Sequence, residues 1–175
     1  MFKYAKIINQ QTGLCEVGTG TNTAFYKSIG MTEQDVLLSD IDGNWYLADK
    51  CPRKSEEQKL AEAKSKKQAE NTTKAKQAVE NGHVVFKNAE FETNAQTVGD
   101  LTATMLLMQA GGMETYLWLS KDDQAVELSL EDFGTLGGLI AEFKNTIWQE
   151  KYLAYKTQIE QAETLETVEN IVIEY

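Results

Sequence analysis

Histidine, arginine, proline and cysteine are scarce in this chain, and each scarcity narrows its chemistry. With His83 as the only histidine in 175 residues, a His-rich metal site or a Ser-His-Asp triad has too few parts. Arg53 stands alone beside 16 lysines, which disfavours bidentate reading of phosphates or bases, and a net charge of -10 disfavours a basic nucleic-acid surface. Cys15 and Cys51 have no CxxC spacing and are expected to be free thiols. No apolar run reaches the ~18 residues of a membrane span, and the opening MFKYAKIINQ lacks the apolar segment of a secretory signal. The expectation is a soluble, cytosolically made protein without membrane insertion.

What is present is enough apolar material for a packed core, 42% hydrophobic with 9% aromatic. Its charge is uneven. Residues 1–54 carry six basic and six acidic groups, residues 55–80 six Lys and five Glu, and residues 81–175 five Lys and 16 acids. The three regions are therefore neutral, +1 and -11.

These boundaries also mark changes in texture, and together they predict an α+β fold. Residues 1–54 read as a small β meander: FKYAKII is β-prone, AFYKSIG repeats the strand texture, and Asp42-Gly43-Asn44 turns into Trp45-Tyr46-Leu47. So small a module buries little surface by itself and is expected to lean on a partner or on copies of itself. Residues 55–80 predict a helix with Ser55 as N-cap and an i,i+4 charge row through Glu62, Lys66, Glu70 and Lys74. Its few apolar residues, Leu60, Val79 and scattered Ala, suggest a solvated spacer, with a loose oligomeric stalk as the alternative.

In residues 81–175 two hairpins are expected, one turning at Lys87-Asn88 and one at Lys121-Asp122-Asp123. Between them Val98, Leu101, Met105 and Met108 share a helix face that stops at Gly111-Gly112. A long amphipathic helix starts at Ser129, with Asp132 completing a capping box, and runs to about Glu163. Its stripe of Phe133, Leu136, Ile140, Phe143 and Ile147 resumes one position late at Trp148, Tyr152, Tyr155, Ile159 and Ala162, which favours a straight helix over a coiled coil. Gly134, Gly137 and Gly138 in its first turns suggest close approach of another backbone. Thr164 caps a last helical turn, and IVIEY is expected to be a strand.

Several residues invite a chemical role. His83 is read as a solvated strand-edge histidine rather than a ligand or base. Glu127, Glu131, Asp132 and Glu142 offer a carboxylate pair, but acids near a helix start serve the dipole and the solvated face. Trp118 and Trp148 are read as core, with stacking on a sugar or base as the alternative. Asp40, Asp42 and Asn44 around Gly43 lack the spacing of a calcium loop. No catalytic, cofactor or metal site is expected.

The stretches YAKIINQQTGLCEVGTGTN, AFYKSIGMTEQDV, DGNWYLADKCP and EEQKLAEAK resemble small tail-associated proteins of tailed bacteriophages and prophages. VVFKNAEFETNAQT, YLWLSKDDQAVELSLEDFGTLGGLI and AETLETVENIVIEY resemble a phage domain of unknown function found at the ends of tail-fibre and fibre-assembly proteins. The resemblance implies a non-enzymatic structural protein of the virion tail, made in the host bacterial cytoplasm and attached to a tail-fibre, spike or baseplate protein. It also implies a homo-oligomer, with a trimer favoured by analogy to fibres. The alternatives are a tail-fibre assembly chaperone and, from the acidity of residues 81–175, a DNA mimic that inhibits a host protein.

Overall fold

The β-prone opening forms β1 (Phe2–Asn9) in the computed structural model, which describes residues 2–175. The fold is α+β, and the chain divides after Lys59 into two units. In the first, β1 pairs antiparallel with both β2 (Leu14–Val17) and β3 (Thr32–Leu38), and β4 (Trp45–Leu47) joins β2 to β3. The result is a closed barrel in the order β1-β2-β4-β3, not the expected meander. Closure leaves no unpaired edge.

The crossover contains a segment that is helical rather than the expected strand. AFYKS lies in helix α1 (Thr23–Ser28), because Asn22 accepts a capping hydrogen bond from Phe25 N–H at 3.0 Å and Gly30 supplies a positive φ of 82° beyond the helix end. Local capping outweighs the β propensity of Phe25 and Tyr26. Ala5, Cys15 and Val36 are the buried cluster of this unit, covered by half-buried Ile7, Val17, Trp45 and Leu47.

Helix α2 (Glu56–Glu80) begins as expected. Gln58 N–H donates to Ser55 Oγ at 3.1 Å while Ser55 N–H donates to Gln58 Oε1 at 3.0 Å, a reciprocal cap. Glu70 pairs with Lys74 at 3.0 Å and with Lys67 at 3.1 Å. The solvated-spacer expectation needs correction, since residues 60–80 belong to the second unit and Asn71 and Ala75 are fully buried. The inner face is polar and small, so a tally of large apolar residues misses it. Lys64 donates to the carbonyl of Glu160, and Thr93 Oγ1 to that of Val79.

The rest of the second unit follows its patterns closely. Strands β5 (His83–Phe86) and β6 (Ala89–Glu92) meet in a two-residue turn with positive φ at Lys87 and Asn88. Helix α3 (Ala95–Gly111) is capped by Asn94 and ends at left-handed Gly112. Strands β7 (Thr115–Leu119) and β8 (Ala125–Ser129) form the second hairpin, and α4 (Leu130–Asn145) opens with the Ser129/Asp132 capping box. Leu101 and Met108 of α3 meet Phe133, Leu136 and Ile140 of α4 over Phe91 and Leu128, forming the main core.

The one-position slip in the apolar stripe has a local cause. Residues Thr146–Tyr152 form a π segment before α5 (Leu153–Gln161), correcting the expected uninterrupted 3.6-residue helix. A π turn accommodates one extra residue, so buried Ile147 is followed on the same stripe by Tyr152, five positions later.

The backbone contact expected at the glycines of α4 is not provided by the packing. A Cβ at Gly134 or Gly138 would meet nothing within 4 Å, and one at Gly137 would meet only the Leu101 side chain at 3.6 Å. Gly134→Ala and Gly138→Ala are each expected to stabilise the second unit by up to ~1 kcal/mol, from helix propensity alone. Urea titration of the two variants checks this, and a loss of stability would restore the close-contact explanation. After α6 (Leu165–Glu169), capped by Thr164, residues 171–175 form no strand. Their carbonyls are bound by side chains instead, Ile171 by Lys67, Ile173 by Lys74 and Glu174 by Tyr155.

Candidate functional site

The lone histidine lies in an exposed charged cluster. β5 brings His83 Nε2 to 3.7 Å from Glu90 Oε2 on β6, and Lys121 Nζ sits 3.6 Å from the same oxygen and 3.5 Å from His83 Nδ1. Lys121 reaches this position because its backbone N–H donates to the Glu90 carbonyl at 2.7 Å. All three side chains are well exposed, so screening weakens the cluster.

The acidic candidates are occupied by local structure. Lys87 Nζ donates to Asp132 Oδ2 at 2.6 Å, and the Ser129 N–H and hydroxyl each donate to it at 2.8 Å. Lys87 first, then Ser129, lower the Asp132 carboxyl to about 2. Glu127 accepts from Thr115 Oγ1 at 2.8 Å, while Glu131 and Glu142 are exposed. In the first unit, Asp42 accepts from Asn44 N–H at 3.0 Å and from Tyr46 Oη at 2.7 Å, which lowers it to about 2 as well. Asp40 accepts from Lys54 N–H at 2.9 Å. The Asp40–Asn44 loop is thus a hydrogen-bonded turn, and among the described residues no group of three or more His, Cys, Asp or Glu could hold a metal ion.

These depressed carboxyls make stability depend on pH in the acid range. Their contribution is fully present above the ordinary 3.8 and is lost as pH falls through about 2. Stability is therefore expected to drop between those values, and Asp132→Asn to flatten the drop. Urea midpoints measured across that pH window provide the check, and equal slopes for the two proteins would contradict it.

The remaining candidates separate into core and surface. Cys15 is buried, donates to the Gly13 carbonyl at 3.2 Å and has its thiol pushed up by burial; Cys51 is half-buried, and both are free. Trp118 packs edge-on to Phe133 at 5.3 Å in the main core. Trp148 packs edge-on to Tyr152 at 5.2 Å and lines an open cleft at the end of α2.

Sequence reasoning missed the exposed apolar side chains. In the first unit these are Ile8, Phe25, Ile29, Leu38 and Ile41. In the second, Leu106 and Leu107 on α3 are exposed, as are Leu117 and Leu119 on β7, the last two by 63% and 64%. The signal was available in β7. TYLWL does not alternate, so with Tyr116 and Trp118 turned to Phe133 the intervening leucines must face outward. Among the described residues no helix is long and apolar enough to cross a membrane.

No curated protein and no solved structure matches the chain. The family model described as "Domain of unknown function (DUF4376)" matches residues 56–174, from the first residue of α2 through nearly the whole second unit. With well over half of its length covered, the chain belongs to the DUF4376 family.

Proposed function

We propose that this chain is a non-enzymatic structural protein of a tailed-phage tail, attached to a fibre, spike or baseplate component. The observation that carries the reading is the apolar surface of the first unit. Phe25, Ile29, Leu38, Ile41 and Ile8 remain exposed around a barrel whose buried apolar residues, among the described residues, are Ala5, Cys15, Met31 and Val36. A unit with so small a core gains from covering such side chains, either with a tail protein or with further copies of itself. Because the barrel is closed, this docking would use side chains rather than strand addition.

The near-neutral first unit would make the attachment, and the acidic second unit would remain solvated. A homo-oligomer, with three copies matching a trimeric fibre, fits the same resemblance. The acids of residues 81–175 are distributed over β6, α3, both β7-flanking loops, β8, α4, the π segment and the last helices, which supports a solvated surface over a DNA-like stripe. Quantitative mass spectrometry of purified particles is the test. The protein is expected at a fixed ratio to one tail component. Its presence in infected cells but absence from particles would favour the assembly chaperone and reject the structural role.

A further inference from the structure

We propose that the cleft between the last turns of α2 and Trp148 is a binding site for a neutral sugar ring. The cleft is open to solvent, offers about 440 Å³ and is lined by Lys76, Gln77, Val79, Glu80, Asn81 and Trp148. That volume falls within the ~300–1,000 Å³ typical of small-molecule clefts. The site lies wholly within the second unit and is independent of the tail role.

Three features define the ligand. The first is a held but accessible aromatic platform. Trp148 belongs to the π segment, and its edge-on contact with Tyr152, 5.2 Å between centroids, fixes a half-buried ring beside the cleft. With Val79 it supplies an apolar floor suited to the C–H face of a pyranose.

The second is a rim that both donates and accepts. The Gln77 and Asn81 amides do both, the Lys76 ammonium donates and the Glu80 carboxylate accepts. Sugar hydroxyls, themselves donors and acceptors, match this mixture. All four side chains are exposed, and none makes a hydrogen bond or ion pair among the described residues. The α2 backbone here is already committed, since the Gln77 carbonyl accepts from Asn81 N–H and the Val79 carbonyl from Thr93.

The third is charge balance. Lys76 and Glu80 cancel, so a phosphate meets the carboxylate and a cation meets the ammonium, while a neutral ligand meets neither penalty. The π segment is also consistent with a functional position, because such insertions concentrate at binding sites.

The test is a titration of the full-length protein with maltose, cellobiose, lactose and N,N′-diacetylchitobiose, followed by nuclear magnetic resonance of the Trp148 indole N–H and the Gln77 and Asn81 side-chain amides. At least one disaccharide is expected to shift all three signals saturably. The double variant Gln77→Ala/Asn81→Ala, both at exposed positions, is expected to weaken that binding by about tenfold without changing the melting temperature. The proposal is overturned if no sugar gives saturable shifts up to roughly 50 mM, a concentration that detects even millimolar affinity. It is also overturned if the double variant binds as tightly as wild type, or if inorganic phosphate or tetramethylammonium occupies the cleft while the sugars do not.

Discussion

Phe133→Ala is expected to destabilise the second unit by about 3–5 kcal/mol, the range for emptying a well-packed aromatic site. Phe133 is 0% exposed and lies on the inward stripe of α4 with Leu136 and Ile140. Its ring makes T-shaped contacts with Trp118 at 5.3 Å and Tyr116 at 6.5 Å between centroids, so it joins the β7–β8 hairpin to the helical core. Removing it creates a cavity and leaves both aromatic neighbours without their contact. A domain is typically stable by only ~5–15 kcal/mol, so the loss would be a large fraction of the total. Urea unfolding followed by tryptophan fluorescence and circular dichroism measures it. A loss below about 1 kcal/mol would mean that the hairpin does not depend on this residue.

Asn71→Ala should have the next largest effect, about 2–4 kcal/mol, because it removes two buried hydrogen bonds rather than opening a large cavity. Asn71 is 0% exposed at the centre of α2. Its Nδ2 donates to the Tyr152 carbonyl at 3.2 Å, where the π segment returns to α5, and its Oδ1 accepts from the Tyr175 hydroxyl. Burial, with smaller contributions from Tyr155 and Tyr152, pushes that hydroxyl up to about 12, so it remains a donor at neutral pH. One amide therefore ties three separate stretches of the chain together. Alanine removes both side-chain bonds and leaves the Tyr175 hydroxyl only its long contact to the Asn71 backbone carbonyl at 3.5 Å. The same unfolding measurement checks the size of the effect, and hydrogen exchange of α5 and residues 171–175 should accelerate with it.

Asn71 also shows why part of this fold was hard to read. The hairpin at Lys87-Asn88, the α3 stop at Gly112 and the Ser129/Asp132 cap were legible because each rests on a few adjacent residues with a fixed geometric requirement. The inner face of α2 was not, since it is built from Asn71, Ala75 and lysine stems that reach backbone carbonyls. Hydrophobic periodicity does not register a polar interface. The stripe in the long helix is legible residue by residue, but its one-position slip, which suits a straight helix equally well, is absorbed by an inserted π residue. At the start of the chain, a single cap from Asn22 turned an aromatic stretch from strand to helix and with it changed the sheet order.

The candidate site was legible to a similar degree. Asp40, Asp42 and Asp132 are engaged in turns and caps, as their positions suggested. Trp118 is in the core, while Trp148 divides its surface between Tyr152 and a cleft. That difference depends on the π segment and on the end of α2, two features distant in sequence. The exposed residues of the first unit were invisible for a related reason. A closed barrel sets which of Ile7 and Ile8 faces inward through its register and bulge, and neither follows from composition.

Cross-linking of intact, purified phage particles with a lysine-reactive reagent tests the central claim most directly. The docking role predicts that cross-links to a different tail polypeptide come chiefly from Lys3, Lys6, Lys27 and Lys50 of the first unit. Lys121, Lys144, Lys151 and Lys156 of the second should remain mostly unlinked to it. Absence of the protein from the particles, or cross-links confined to the second unit, would contradict that role.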